Sequence, residues 1–294
     1  MHRNAARALP DGVEGLVADR NDGEAVAQAL SGRRFDAVFD IVYDWERGTS
    51  GAQVESTALA CGGVGRYVFM SSVAAYGSGL DREEGLPLAS DDFPDAYCRN
   101  KAMSERALFR LHRDRGLPVV TLRPPYVYGP ENPFYREAFF WDRLRDGRAI
   151  VLPGSGERLM QFVYVHDLVR GCMAALDAPG AAGEAFNIGG ERAVTQAELV
   201  EALGRSAGVK PRLVHVERTL IEAAGGNPMG DPMYFGVYFD LPPITEVMGK
   251  AERILGLVPT PFDEGLRETY EWYMEHGTRR EPDYTFEDAL MSRM

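Results

Sequence analysis

Cysteine is scarce: Cys61, Cys98 and Cys172 are the only three in 294 residues. The number is odd and the spacing wide, and no Cys-x-x-Cys pair or nearby His has metal-site spacing. This argues against a disulfide framework and a zinc motif. The reading is three reduced thiols in a cytoplasmic protein. Long apolar runs are also missing. Nothing approaches the roughly 18 uninterrupted residues of a membrane span, and the opening Met-His-Arg-Asn has no apolar signal region. Basic residues fall short as well: 32 Lys and Arg against 44 Asp and Glu leave a net charge of −12. That balance counts against sequence-independent binding to nucleic acid, which a basic surface drives.

What is present is an alternation of strand-like and helix-like segments. Val13 to Ala18 reads as a short strand. Asp22 to Leu30 reads as a helix with Asp22 as its N-cap. Phe35 to Val42 is β-branched and apolar, the pattern of a buried strand. Gly51 to Ala60 reads as a helix, and Arg66 to Met70 as a second buried strand running into Ser71-Ser72. A long helix is predicted over Pro94 to Arg115, broken by Gly116-Leu117-Pro118, and Val119 to Leu122 follows as a strand. This rhythm implies a mainly parallel sheet covered on both faces. Beyond Gly129-Pro130, helices are predicted over Glu137–Arg145, Asp167–Asp177 and Phe262–His276, and strands over Gln161–Val165 and Phe186–Ile188. Leu152 to Gly156 reads as a turn-rich loop. Thr195 opens a helix with Glu198 at capping-box spacing. Residues 217–243 read as an irregular lobe, and the polar tail after Gly277 as loose.

The chemistry is concentrated in Tyr97-Cys-Arg-Asn-Lys101. Residues four apart share one helix face. A free tyrosine, with a pKa near ~10, is a poor base at neutral pH, and a nearby ammonium lowers that value. Such a Tyr exchanges a proton with a substrate oxygen while a nicotinamide cofactor carries hydride. An isolated Tyr-x-x-x-Lys is more often a surface Tyr packed on a Lys stem. Here a buried strand upstream ends in Ser71-Ser72-Val-Ala-Ala-Tyr76-Gly77. That places a hydroxyl at the carboxyl end of a parallel strand, where open α/β sheets bind their ligands.

Taken together, these motifs make the chain resemble an extended short-chain dehydrogenase/reductase of the NAD-dependent epimerase/dehydratase kind. Ser71 to Gly77 matches that family's Ser-Ser-x-x-x-Tyr-Gly, and Tyr97 and Lys101 match its Tyr-x-x-x-Lys. Arg123, Pro124, Val127, Tyr128, Gly129 and Pro130 match its Arg-Pro-x-x-Val-Tyr-Gly-Pro. Phe162 to Leu168, with Asp167, and Phe186-Asn187-Ile-Gly189 match later family segments, as does Ala251 to Pro259. Within the family the sequence is most similar to the group of chloroplast stem-loop-binding proteins and bacterial epimerase-like proteins.

The resemblance implies a Rossmann-type doubly wound parallel α/β sheet with a smaller C-terminal substrate lobe. Residues 1–130 and 161–188 fall in the first unit, and 131–160 and 189–294 in the second. It implies Ser72, Tyr97 and Lys101 as the catalytic set. Contacts to NAD or NADP fall on Arg3, Asp19, Arg20, Tyr97, Lys101 and Pro124, and substrate contacts on Ser72, Tyr126 and Arg158. The implied substrate is a sugar or nucleotide sugar, and a homodimer would pair through the segments near 51–60 and 95–112. Plainer roles compete for several of these residues: a solvated Arg3, a capping or turn Asp19, a salt-bridged Arg158, and a loop salt bridge within Asp44-Trp45-Glu46-Arg47. Phe134, Tyr135, Phe139, Phe140 and Trp141 suit a substrate pocket or, more commonly for such a cluster, the core between lobes.

The family's opening strand and Gly-x-x-Gly-x-x-Gly turn, which bind pyrophosphate at a helix N-terminus, have no counterpart in the sequence. Two explanations follow: a start about 40 residues late, by the size of a βαβ opening, or a homologue that no longer binds dinucleotide. The first would leave an unfilled slot or a slack N-terminus beside the Phe35–Val42 strand. The alternative function is therefore a non-catalytic, regulatory or RNA-binding protein on the same fold.

Overall fold

Two faces of one small parallel sheet organise the chain. The computed structural model describes residues 1, 3 and 9–293. Residues 2, 4–8 and 294 lie outside the described residues. Four strands, β1 (Phe35–Asp40), β2 (Val64–Met70), β3 (Val119–Arg123) and β4 (Glu184–Asn187), lie in that order and all run parallel. Side chains alternate across the pleat. Tyr67, Phe69 and Val119 pack on one face with Val26 and Leu30 of α1 (Gly23–Leu30), Val54 and Ala58 of α2 (Gly51–Ala60), and Leu108 and Leu111 of α3 (Ala96–Arg115). Val68, Val120, Leu122 and Phe186 pack on the other with Leu168 and Ala175 of α4 (Val165–Asp177).

Local chemistry sets the helix ends. The Asp22 carboxylate accepts from the backbone N–H groups of Glu24 and Ala25, and Asp95 caps α3 by accepting from Cys98 at 2.8 Å. Gly116 ends α3 with φ of 72°, a left-handed conformation that costs glycine little. Thr195 and Glu198 form the predicted capping box of the Gln196–Ser206 helix.

Phe35–Val42 departs from expectation. The strand stops at Asp40 and is the outer edge of the sheet, not a strand buried on both sides. Val38 packs inward, while Phe39 is 41% and Ile41 61% exposed. Among the described residues, no strand pairs with its outer edge. Val13–Ala18 forms no strand either. Val17 makes a single bridge, and Leu16 and Ala18 pack under the first helices. A short segment without a partner on each side gains too few ladder bonds to become a strand.

The second lobe has its own core, in which Phe139, Phe140 and Trp141 meet Leu199, Leu203, Phe235 and Leu266. Leu152 lies in a strand, Ile150–Pro153, paired with Leu213–Val216, and the turn follows at Gly154 and Gly156. The tail is not loose: Thr285–Met291 is helical and buries Leu290 against this core. Residues 244–257, expected in the lobe, sit on the sheet instead. Ile244–Glu246 pairs with Gly79–Arg82, and Ala251 and Leu255 pack with Phe186.

Leu108→Ala should cost about 2–5 kcal/mol, the range for emptying a well-packed core site, measured as a drop in urea unfolding free energy. Phe39→Lys should change stability by less than about 0.5 kcal/mol and reduce self-association in light scattering, because an exposed apolar strand edge templates pairing.

Candidate active site

The site is assembled where three segments converge at the carboxyl ends of the strands. β2 ends at Met70, and Ser72 follows as the N-cap of a 3-10 turn over Val73–Tyr76, its hydroxyl accepting from Ala74 N–H at 3.2 Å. β3 ends beside it at Arg123, and the carbonyl of the following Pro124 accepts from Val73 N–H at 3.0 Å and from the Ser72 hydroxyl at 3.5 Å. The first turn of α3 brings in Tyr97, and one turn on, buried Lys101 donates from Nζ to the Met70 carbonyl at 2.7 Å.

The three predicted catalytic residues thus share one corner, with electrostatics of their own. Burial holds the Tyr97 phenol up at about 12, opposed first by the nearby Ser72 hydroxyl and then by the charge of Arg136. Lys101 is not among these leading downward influences. Its nitrogen stands 5.7 Å from the Tyr97 ring centroid and points at the strand end. Burial in turn pulls the Lys101 ammonium down to about 8, against the favourable field of Asp40.

An aromatic collar surrounds the phenol; Phe134 and the segment holding Trp45 were weighed in the sequence, while Tyr43 and Tyr238 were not. Trp45 stacks on Tyr97 with centroids 5.2 Å apart and planes 18° from parallel. Tyr43 meets both rings edge-on. Phe134 meets Trp45 at 5.8 Å and Tyr238 at 5.9 Å. Tyr126, predicted for substrate, donates from its hydroxyl to the Tyr238 carbonyl at 2.7 Å and lies 5.3 Å from the Arg136 guanidinium. Of the five aromatics weighed between pocket and core, Phe134 faces this collar, while Phe139, Phe140 and Trp141 are core. The available signal was position: Tyr43 and Trp45 follow β1, where ligand loops of such sheets lie.

Other predicted site residues lie elsewhere or are engaged. Arg20 is paired with Asp40, which also accepts from the Tyr67 hydroxyl at 2.7 Å. Asp19 caps Asn21 N–H and meets Arg47, which also binds Asp44 at 2.9 Å. The plainer capping and salt-bridge roles therefore hold for both segments. Arg3 lies 3.5 Å from Asp44 and 3.8 Å from Glu46. Arg158 is salt-bridged to Asp240 at 2.9 Å, so its charge is spent inside the lobe. Several motif residues are framework. Arg123 binds Glu105 at 2.6 Å and Tyr76 at 2.7 Å, and Tyr76 donates to Asn187. Asp167 accepts from Thr260 N–H and hydroxyl, each at 2.7 Å, pinning the C-terminal segment.

Comparison with known proteins gives this geometry its setting. The NAD dependent epimerase/dehydratase family matches residues 2–189, well over half of the chain. The chain belongs to that family. Among epimerase/dehydratase relatives, the chloroplast stem-loop binding protein of 41 kDa b from Arabidopsis thaliana is 31% identical over 95% of this chain and 69% of its own length. A dTDP-glucose 4,6-dehydratase of Streptomyces niveus is 31% identical over 79% of this chain, which spans 64% of that enzyme. The crystal structure of a double mutant of DesIV, a dTDP-glucose 4,6-dehydratase from Streptomyces venezuelae solved with NAD, superposes with a TM-score of 0.63. It is 27% identical and covers 88% of this chain and 79% of its own. The family's cofactor is matched unevenly by the residues present. Tyr97 and Lys101 suit the nicotinamide end. Arg20 and Asp19, also expected at the cofactor, are paired internally with Asp40 and Arg47.

Lys101 carries a pH signature. Its folded pKa lies below the unfolded value, so the unfolded chain holds more protons between the two. Its charging penalty is therefore complete below about pH 8 and fades as pH rises to about 10.4. Relative to Lys101→Met, the wild type should gain roughly 3 kcal/mol across that window, at about 1.36 kcal/mol per pKa unit. Urea unfolding at stepped pH checks this, and a difference that stays flat with pH would refute the burial account.

Proposed function

We propose that this protein is a sugar-modifying oxidoreductase of its family, in which Ser72, Tyr97 and Lys101 handle the proton while a nicotinamide dinucleotide carries hydride when bound. The substrate is a nucleotide sugar, and the reacting group is a ring hydroxyl or the carbonyl derived from it. The observation that carries the reading is the convergence of Tyr97 and Ser72 at the carboxyl ends of parallel strands, inside an apolar collar. A phenol held at about 12 is fully protonated at neutral pH. It is ready to donate to a substrate carbonyl, with Ser72 hydrogen-bonding the same oxygen. In the opposite direction the phenol must accept the substrate's proton through the phenolate. Charge from Arg136 favours that form.

NAD is the cofactor this reading favours. Arg3 faces Asp44 and Glu46, two carboxylates that would repel the extra phosphate of NADP. DesIV, the structural relative named above, was solved with NAD. Similarity to a stem-loop binding protein supports a second reading, RNA binding on the same fold. The net charge of −12 weighs against it.

Tyr97→Phe should lower turnover of a dTDP- or UDP-hexose by at least about 10²-fold, the usual worth of a positioned acid/base, with an unchanged unfolding curve. Ser72→Ala should lower it by about 10–100-fold, as for loss of one donor at the reacting oxygen. Tyr97→Phe turning over at the wild-type rate would dismiss the proton-transfer role. Filter binding of a stem-loop RNA across salt concentrations addresses the second reading: affinity that falls steeply with salt supports it.

A further inference from the structure

Arg136 is an anomaly among the buried arginines. It is 9% exposed, comparable with Arg123 and Arg143. Arg123 is neutralised by Glu105 at 2.6 Å, and Arg143 by Glu287 at 2.5 Å. Arg20, with an equally enclosed side chain, is paired with Asp40. For Arg136, no carboxylate among the described residues lies within ion-pair distance. The adjacent Glu137 turns its carboxylate to Asn132, which donates to it at 2.9 Å. Among the described residues, the one hydrogen bond Arg136 makes with its side chain is a long one, from Nε to the Val237 carbonyl at 3.3 Å.

Four rings hold the guanidinium: Phe134 at 4.5 Å, Tyr126 at 5.3 Å, and Tyr238 and Phe239 each at 5.6 Å from its central carbon. Ring faces attract a cation but carry no net charge, and they do not offset the cost of burying an unpaired one. Burial accordingly pulls this guanidinium's pKa down, opposed chiefly by the charge of Glu137, which makes no ion pair with it. The group belongs to the catalytic corner: its charge acts on Tyr97, and Phe134 links it to Trp45, which stacks on the phenol. Arg158, the cation first expected to take a substrate anion, is neutralised by Asp240.

We propose that Arg136 is an anion-binding residue of the active site and that its missing counter-charge is a carboxylate or phosphoryl group on the substrate. This rests on the reading of Ser72 and Tyr97 as the reaction centre and adds a chemical requirement to it. A planar guanidinium fork pairs with two oxygens of such a group at once. The aromatic collar excludes water from the pair, which strengthens it. The substrate is thereby selected for negative charge near the reacting ring, and a neutral sugar leaves the cation unpaired.

The test is equilibrium titration, followed by tryptophan fluorescence, of the full chain with D-glucuronate, D-glucose 6-phosphate and D-glucose. The wild type should bind at least one of the two anionic sugars more tightly than glucose. Arg136→Met should weaken that binding by about 10–100-fold, the worth of a charge-assisted pair, while glucose is unaffected. Arg136→Lys should retain part of the preference, since it keeps the charge and loses the fork. A response confined to glucuronate identifies a carboxylate, and one confined to glucose 6-phosphate a phosphoryl group. Without ligand, Arg136→Met should melt no lower than the wild type, because it removes an unpaired buried charge. Wild-type protein that binds neither anion better than glucose overturns the proposal. So does an Arg136→Met variant with a lowered melting temperature and unchanged anion affinity, which would make the residue a packing element. These measurements need no turnover, so a Tyr97→Phe variant that stays active would remove the proton-transfer reading and leave the anion site standing.

Discussion

A buried ammonium pointing at the end of a parallel strand is the contact around which the site is organised. Lys101 donates to the Met70 carbonyl, the last of β2, and so ties α3 to the strand end at a set height. That tie decides where Tyr97, one turn earlier on the helix, meets Ser72, two residues beyond the strand. The ammonium is held at a cost, since burial pulls its pKa down to about 8. A charge kept inside at such a cost points to a functional position.

The surrounding polar network makes that corner rigid. Ser71, Glu105, Arg123, Tyr76 and Asn187 form a continuous chain of buried hydrogen bonds linking β2, α3, β3 and β4. Every link is charged or shares a proton with a charged group, and such networks hold one arrangement when their members are satisfied. Several motif residues that look chemical in the sequence are therefore spent on this framework. The acidic side chains do similar work elsewhere. Asp240 gathers Arg158, Arg218, Gln196 and Tyr234 in the second lobe, and Asp40 gathers Arg20 and Tyr67 at the sheet edge.

Beside these paired clusters, β1 and Arg136 stand out. The strand has an unpaired edge and an exposed apolar face among the described residues, and the arginine has a charge without a counter-charge. Both sit where the family's ligands approach, at or beside the carboxyl ends of the strands. A site that binds anions needs unspent positive charge, and the other basic residues considered for this role spend theirs on neighbouring carboxylates.

Much of this was legible in the sequence. Helices at Gly51–Ala60, Glu137–Arg145 and Phe262–His276 emerged with the boundaries that periodicity implied. Cap chemistry marked Asp22 and Thr195, and strand-to-turn spacing marked Ser72, Tyr97 and Lys101. These features are local: a capping side chain reaches two or three residues, and residues four apart on a helix share a face wherever the helix goes. Tertiary structure alone decided which charges are spent. Arg158 and Arg136 look alike in the sequence, but one meets an aspartate 82 residues away and the other a carbonyl and a set of rings. Likewise β1, apolar enough to be buried on both faces, became an edge because burial depends on neighbours the segment does not contain. Charge pairing and sheet order are long-range properties, settled by which distant segments the fold brings together.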